Sequence, residues 1–270
     1  MKSIIFCDID GTILDGSRGM PNVSEKTKYA FEELKKDSYV FISSGRCKGL
    51  LSEQVKQLKP NGFILCNGAY SEFEGQENYS LSFTEKVVDK IKEVSLKYNG
   101  FYILETLDEM FVDSLESDAY KAFMSGWGIA LSGFKQIKSD DNYHIAMIGF
   151  LNYDNYDLVE KELSDYVDLA AHHGFSSFDV NIKNINKGYG VKRVLEYLNI
   201  PRDNAYCFGD GINDLEMLYE VGHPIIMANA DEKIKGLGFD ETDDVLDDGL
   251  YNYLVSHKLI KPLWVVKIDK

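Results

Sequence analysis

Positive charge is scarce in this chain. Its 29 lysines and arginines face 44 aspartates and glutamates, for a formal net charge of −15 at pH 7. Only four of the basic residues are arginines: Arg18, Arg46, Arg193 and Arg202. Nucleic acids and anionic membrane surfaces are recognised through a basic stripe, so neither partner is expected. Long apolar runs are also missing. None approaches the length needed to cross a bilayer, and Ile4–Phe6 is far too short for the core of a signal peptide. Cysteine is sparse: Cys7, Cys47, Cys66 and Cys207 lie far apart, with neither metal-ligand nor redox spacing. Three of them fall in apolar, strand-like runs, which predicts buried free thiols and a cytoplasmic location. No internal repeat is visible.

What remains is the composition of an ordinary globular protein, 270 residues long, 44% hydrophobic and 27% charged. That length suits one to two domains and a core that needs no covalent staples. Over the first seventy residues, apolar runs at Ser3–Cys7, Tyr39–Ser43 and Phe63–Cys66 alternate with helical periodicity at Ser24–Lys36 and Gly49–Leu58. Ser24 is placed to cap the first helix. Strand and helix at this spacing predict parallel crossovers and an α/β sheet.

The pattern changes near Leu81. A helix is predicted over Thr84–Tyr98, then strands at Phe101–Glu105, Met110–Asp113, Tyr143–Phe150 and Phe178–Lys183. Helices are predicted around Ala119–Met124 and Tyr156–Val167. This block lacks regular parallel alternation and reads as a separate α+β domain. Alternation resumes at Lys187, with a helix ending before Pro201, a strand at Ala205–Phe208, a helix at Asn213–Tyr219, a strand at Pro224–Met227 and a last helix at Gly249–His257. The acidic run Asp240–Asp248 reads as a solvated loop. The expected architecture is a doubly wound parallel-sheet core, residues 1–82 and 184–270, interrupted by an inserted domain, residues 83–183.

In such sheets, sites form where loops leave the carboxyl ends of the strands. The first strand runs directly into Asp8-Ile9-Asp10-Gly11-Thr12, and a carboxylate there is costly unless paired or metal-bound. An Asp/Gly turn is the plainer alternative. The second strand ends in Ser43-Ser44-Gly45-Arg46, where a hydroxyl and free N–H groups suit a phosphoryl oxygen or, equally, a helix cap. Lys187 precedes a glycine at a helix start. Gly209-Asp210-Gly211-Ile212-Asn213-Asp214 again follows an apolar strand directly. Four carboxylates converging on one edge cannot all stay ionised without a cation. Hard oxygen ligands with no Cys or His nearby point to magnesium rather than zinc.

Together with Asn186-Lys187-Gly188, these segments resemble the four ordered motifs of the haloacid dehalogenase superfamily, and most closely its Cof-type, class IIB phosphatases. Asn67-Gly68-Ala69, Ala228-Asn229-Ala230 and Asp248-Gly249 agree with the resemblance. It implies a HAD-like, Rossmann-like core and a C2-type cap that selects substrate. It also implies a magnesium-dependent phosphatase acting through an aspartyl-phosphate. Asp8 is then the nucleophile and Asp10 the general acid and base. Ser44, Gly45, Lys187 and Asn213 hold the phosphate. Magnesium is held by Asp8, the main-chain carbonyl of Asp10, and Asp210. Thr12 and Asp214 sit behind these ligands, Asp214 also orienting Lys187.

The inserted block carries eighteen acidic residues, nine lysines and no arginine between Leu81 and Lys183. Clamping a second phosphate favours arginine. The expected substrate is therefore a small phosphorylated metabolite with a neutral, hydroxyl-rich leaving group, such as a sugar phosphate, and no obligate protein partner is inferred. A sugar phosphomutase and a non-catalytic ligand-binding regulatory module are the alternatives. His172 and His173 are the histidines considered for substrate contact, against a plain surface turn.

Overall fold

A computed structural model describes residues 2–116, 118, 120, 121, 134–137, 142–149, 156–171 and 177–263. His172 and His173 lie outside the described residues, as does most of the predicted helix around Ala119–Met124. Two compact units are present. One comprises Met1–Gly45, Leu51–Asn78 and Asn186–Lys270, the other Arg46–Leu50 and Tyr79–Ile185.

The first unit is built on β1 (Ser3–Cys7), β2 (Ser38–Ser43), β3 (Gly62–Leu65), β4 (Tyr70–Phe73), β5 (Gln76–Ser80), β12 (Ala205–Gly209), β13 (His223–Met227) and β14 (Asp240–Thr242). Their order across the sheet is β14-β13-β12-β1-β2-β3-β4-β5. The six strands from β14 to β3 pair in parallel, and β4 returns antiparallel to β3. Successive residues 4–7 of β1 and 39–42 of β2 are apolar on both faces, because helices cover both sides of the sheet. On one face Ile4, Phe6 and Phe41 pack with Val191, Val194 and Leu195 of α5 (Lys187–Leu198) and with Met217 and Leu218 of α6 (Leu215–Tyr219). On the other face Tyr253 of α7 (Gly249–Ser256) meets Phe208 edge-on at 5.4 Å. Tyr251 of the same helix meets Tyr29 of α1 (Glu25–Asp37) at 6.4 Å.

Local signals start the helices where the sequence predicts. Ser24 accepts the Thr27 N–H at 3.0 Å ahead of α1, and Asn186 accepts that of Tyr189 at 2.9 Å ahead of α5. Each such cap contributes about 1 kcal/mol. The predicted helix over Gly49–Leu58 is instead a short 3₁₀ turn, Lys48–Leu50, and a separate α2, Glu53–Gln57. The Gly49 N–H leaves the helical path to bond Leu107 O at 3.0 Å. Ser52 then takes extended geometry and restarts the chain as an N-cap.

The second unit is an antiparallel sheet with one parallel pair. Its strands are β6 (Phe101–Glu105), β7 (Met110–Val112), β8 (Phe134–Gln136), β9 (Ile145–Gly149), β10 (Val167–Ala171) and β11 (Ser177–Ile182), in the order β10-β11-β9-β6-β7-β8. The helices α3 (Glu85–Lys97) and α4 (Tyr156–Leu163) cover one face. There Val88, Ile91, Val94, Val159 and Leu163 pack on Leu104, Phe111, Ile148 and Val180. The opposite face gathers Phe101, Ile103, Val112, Tyr120 and Phe134. The Cys47 thiol, in the segment Arg46–Leu50, donates to Glu105 Oε2 at 3.1 Å.

Candidate active site

Parallel pairing of β12, β1 and β2 brings the chain out of the sheet three times along one edge, at Gly209, Cys7 and Ser43. Asp8 continues β1 by one residue, its N–H still bonded to Phe208 O at 3.0 Å, so its backbone is fixed by the ladder itself. Lys187, at the first turn of α5, reaches across the sheet end. Its Nζ donates to Asp8 Oδ1 and to Asp214 Oδ1, both at 2.6 Å. All three side chains are buried.

Asp214 closes the loop that carries Asp210. Its Oδ2 accepts the N–H groups of Asp210 and Gly211, each at 2.9 Å. One carboxylate thus holds both the lysine and the backbone of the neighbouring acid. Asp210 in turn receives the Thr12 hydroxyl at 3.2 Å on Oδ1. Gly11, at φ +82°, lets the loop after β1 lie directly against that carboxylate. A Cβ on Gly11 would stand 2.0 Å from Asp210 Oδ2.

Oxygens of Asp8, Asp210 and Asp214 lie within 4.8 Å of one another. Burial, then the Asp214 charge, pushes the Asp8 carboxyl up to about 7, although Lys187 pulls it down. Burial and the charges of Asp8 and Asp214 push Asp210 up to about 8. Burial lowers Lys187, but Asp214 and Asp8 outweigh it, so the ammonium is raised and stays charged. One cation among three close carboxylates leaves an excess of negative charge, which is relieved by protons or by a bound cation. The donors are all hard oxygens, a set that fits a divalent metal of the magnesium kind.

The other predicted residues occupy the same sheet edge. Asp10 is exposed, and its charge contributes to the rise at Asp8. Ser44 is buried, its N–H bonded to Ile64 O at 2.9 Å and its carbonyl accepting from Asn67 N–H at 3.2 Å. Gly45 lies against the Asn67 amide. Asn213 is exposed in the 3₁₀ turn Ile212–Asp214. The adjacent Ser43 has a fully buried hydroxyl with no hydrogen-bond partner. Sequence reasoning gave no role to Asn229, whose amide donates to Gly11 O at 2.8 Å. The available signal was its position, an amide two residues past an apolar strand at the same edge.

A family model described as haloacid dehalogenase-like hydrolase matches residues 5–254, and the chain belongs to that family. A Bacillus subtilis (strain 168) protein named "Putative phosphatase YkrA" is 29% identical over 260 residues, spanning 92% of this chain and 95% of its own length. From the same organism, 5-amino-6-(5-phospho-D-ribitylamino)uracil phosphatase YitU is 24% identical over 268 residues, spanning 94% of this chain and 97% of its own. A crystal structure of a protein from Geobacillus kaustophilus HTA426 superposes with a TM-score of 0.85 at 27% identity, covering 96% of this chain and 100% of that one. Among the described residues, no helix is long and apolar enough to cross a membrane.

Proposed function

We propose that this chain is a magnesium-dependent phosphatase that hydrolyses small phosphomonoesters through an aspartyl-phosphate at Asp8. The observation that carries the reading is the buried Asp8 carboxylate, held 2.6 Å from Lys187 and within 4.8 Å of oxygens from Asp210 and Asp214. An Asp8 oxygen attacks phosphorus as the ester P–O bond breaks, and Asp10 protonates the departing alkoxide. Water then attacks phosphorus and gives its proton to Asp10, while the Asp8–phosphorus bond breaks and the carboxylate is restored. Lys187 neutralises charge on the phosphoryl oxygens in both steps, with Ser44, Gly45 and Asn213 as further hydrogen-bond donors. Asp214 keeps Lys187 and the Asp210 loop in place. Asp8, the main-chain carbonyl of Asp10, and Asp210 would hold the metal. Bound there, magnesium supplies positive charge that offsets the acidic pocket and the incoming phosphate.

The inserted domain, assigned to 83–183, is the cap that selects the leaving group. Its excess of acid and lack of arginine favour a neutral polyol or sugar over a second phosphate. The relative named for a phosphoribityl substrate is in keeping with that class. The four buried free thiols suit a cytoplasmic enzyme. Phosphate release from a panel of metabolite phosphates, with magnesium and with a chelator, tests the proposal. Sugar and polyol monophosphates should lead, and the chelator should stop turnover. Bisphosphates or nucleotides at the head of the panel would reverse the substrate assignment.

A further inference from the structure

We infer that Asn229 is a positioning residue for the metal site, acting as a strut that sets the spacing between the Asp8-bearing and Asp210-bearing loops. The inference rests on the metal-dependent reading above. Asn229 follows β13, and its side chain uses both ends. Nδ2 donates to Gly11 O at 2.8 Å and lies 3.5 Å from Asp210 Oδ2. Oδ1 accepts the Val245 N–H at 2.9 Å. Two residues on, the Asp231 N–H donates to Asp210 O at 2.9 Å. The turn after β13 therefore holds the loops after β1 and β12 at once, and is itself anchored to the segment before α7.

Such a strut has work to do at this place. Gly11 and Asp210 are in direct contact, yet the two loops carry like charges that repel. Magnesium tolerates little departure from its preferred geometry, so the separation of its carboxylate ligands must be fixed in advance. An amide is well suited because one end donates to the oxygens of both loops while the other accepts from a third. A carboxylate at 229 would set oxygen against oxygen.

The test is direct magnesium titration of purified full-length protein by calorimetry, with the magnesium-induced rise in Tm as a second readout. Asn229→Leu keeps the branching at Cγ, with bulkier methyl groups in place of the amide, and removes all three contacts. Asn229→Ser serves the same purpose if the leucine variant does not fold. Asn252→Ala is the control, since Asn252 braces the same 243–247 segment through Asp243 Oδ2 at 2.7 Å and Asp247 O at 2.9 Å without touching Gly11 or Asp210. Loss of about tenfold or more in magnesium affinity is expected for either Asn229 variant, with kcat largely recovered at saturating metal. Asn252→Ala should leave affinity unchanged. A folded Asn229 variant with wild-type affinity overturns the proposal, as does an equal loss in Asn252→Ala. A wild-type protein that takes up no magnesium overturns the metal reading itself, and is distinguished by the failure of the parent.

Discussion

The Lys187 ammonium sits 2.6 Å from the Asp214 carboxylate, and neither side chain is reached by solvent. The same ammonium is 2.6 Å from Asp8. Lys187 is thus the positive charge that makes burial of two acids tolerable, and in the proposed mechanism it is also the group that meets the phosphoryl oxygens. Removing it leaves uncompensated charge in a dry site. Lys187→Met should cost roughly 3–5 kcal/mol in urea unfolding and leave no measurable turnover. A stability loss below about 1 kcal/mol would mean that the buried acids are neutral without their partner.

Two adjacent serines separate structure from chemistry. Ser43 has a fully buried hydroxyl without a partner, and such a group costs free energy. Ser43→Ala is expected to leave stability unchanged or raise it by about 1 kcal/mol, with kcat/KM within about twofold. Ser44→Ala should lower kcat/KM by about tenfold or more. Steady-state kinetics and denaturation of both variants check the pair, and the opposite order of kinetic effects would assign phosphate binding to Ser43.

Backbone approach at Gly11 is needed for the site to close. Gly11→Ala places a methyl group 2.0 Å from Asp210 Oδ2 at a φ of +82°, so the loop must move away from that carboxylate. A shift of that kind at reacting groups costs about a hundredfold in rate. Magnesium affinity should fall with it. Near wild-type kinetics and affinity would show that the two loops need not touch.

Metal uptake should release protons. In the metal-free protein Asp8 is raised to about 7 and Asp210 to about 8. Both exceed their ordinary value, so between that value and the raised one the folded state binds more protons than the unfolded state. Their contribution to stability is therefore complete in acid and is lost as pH rises toward about 8. Magnesium held by these carboxylates would displace the same protons. Its stabilising effect on Tm should be larger near pH 8 than near about pH 5.5, and calorimetry in buffers of different ionisation heat should detect proton release on the acid side. Equal Tm gains at both values would contradict these assignments.

Most of the core was legible because helices cover both sheet faces, which makes each strand an apolar run and leaves the polar residues at its end conspicuous. Asp8, Ser44 and Asp210 each follow such a run, and Lys187 follows a capping Asn186. The strands that escaped notice have weaker patterns. β4 and β5 follow Asn67-Gly68, which reads as a terminal turn, and β5 is mostly exposed. β14 is three residues within the acidic run, an edge strand whose charges disguise its pairing. The helix predicted over Tyr156–Val167 runs on into the first residue of β10 because the apolar residues at Val159, Leu163 and Val167 keep helical spacing, and the stretch 168–171 carries too little apolar pattern to stand out as a strand. Side-chain bonds that cross between loops, such as those of Asn229 to Gly11 and Val245, depend on tertiary placement, and the Asp214–Lys187 pair was accessible only through the family resemblance.

The central claim is that Asp8 carries the phosphoryl group. Acid-quenching the enzyme during turnover, reducing any acyl phosphate with borohydride and mapping the peptides by mass spectrometry tests it most directly. The account predicts modification at residue 8 alone, and neither modification nor phosphate release in Asp8→Asn. Phosphate release at an undiminished rate in Asp8→Asn, or modification at another residue, would contradict it.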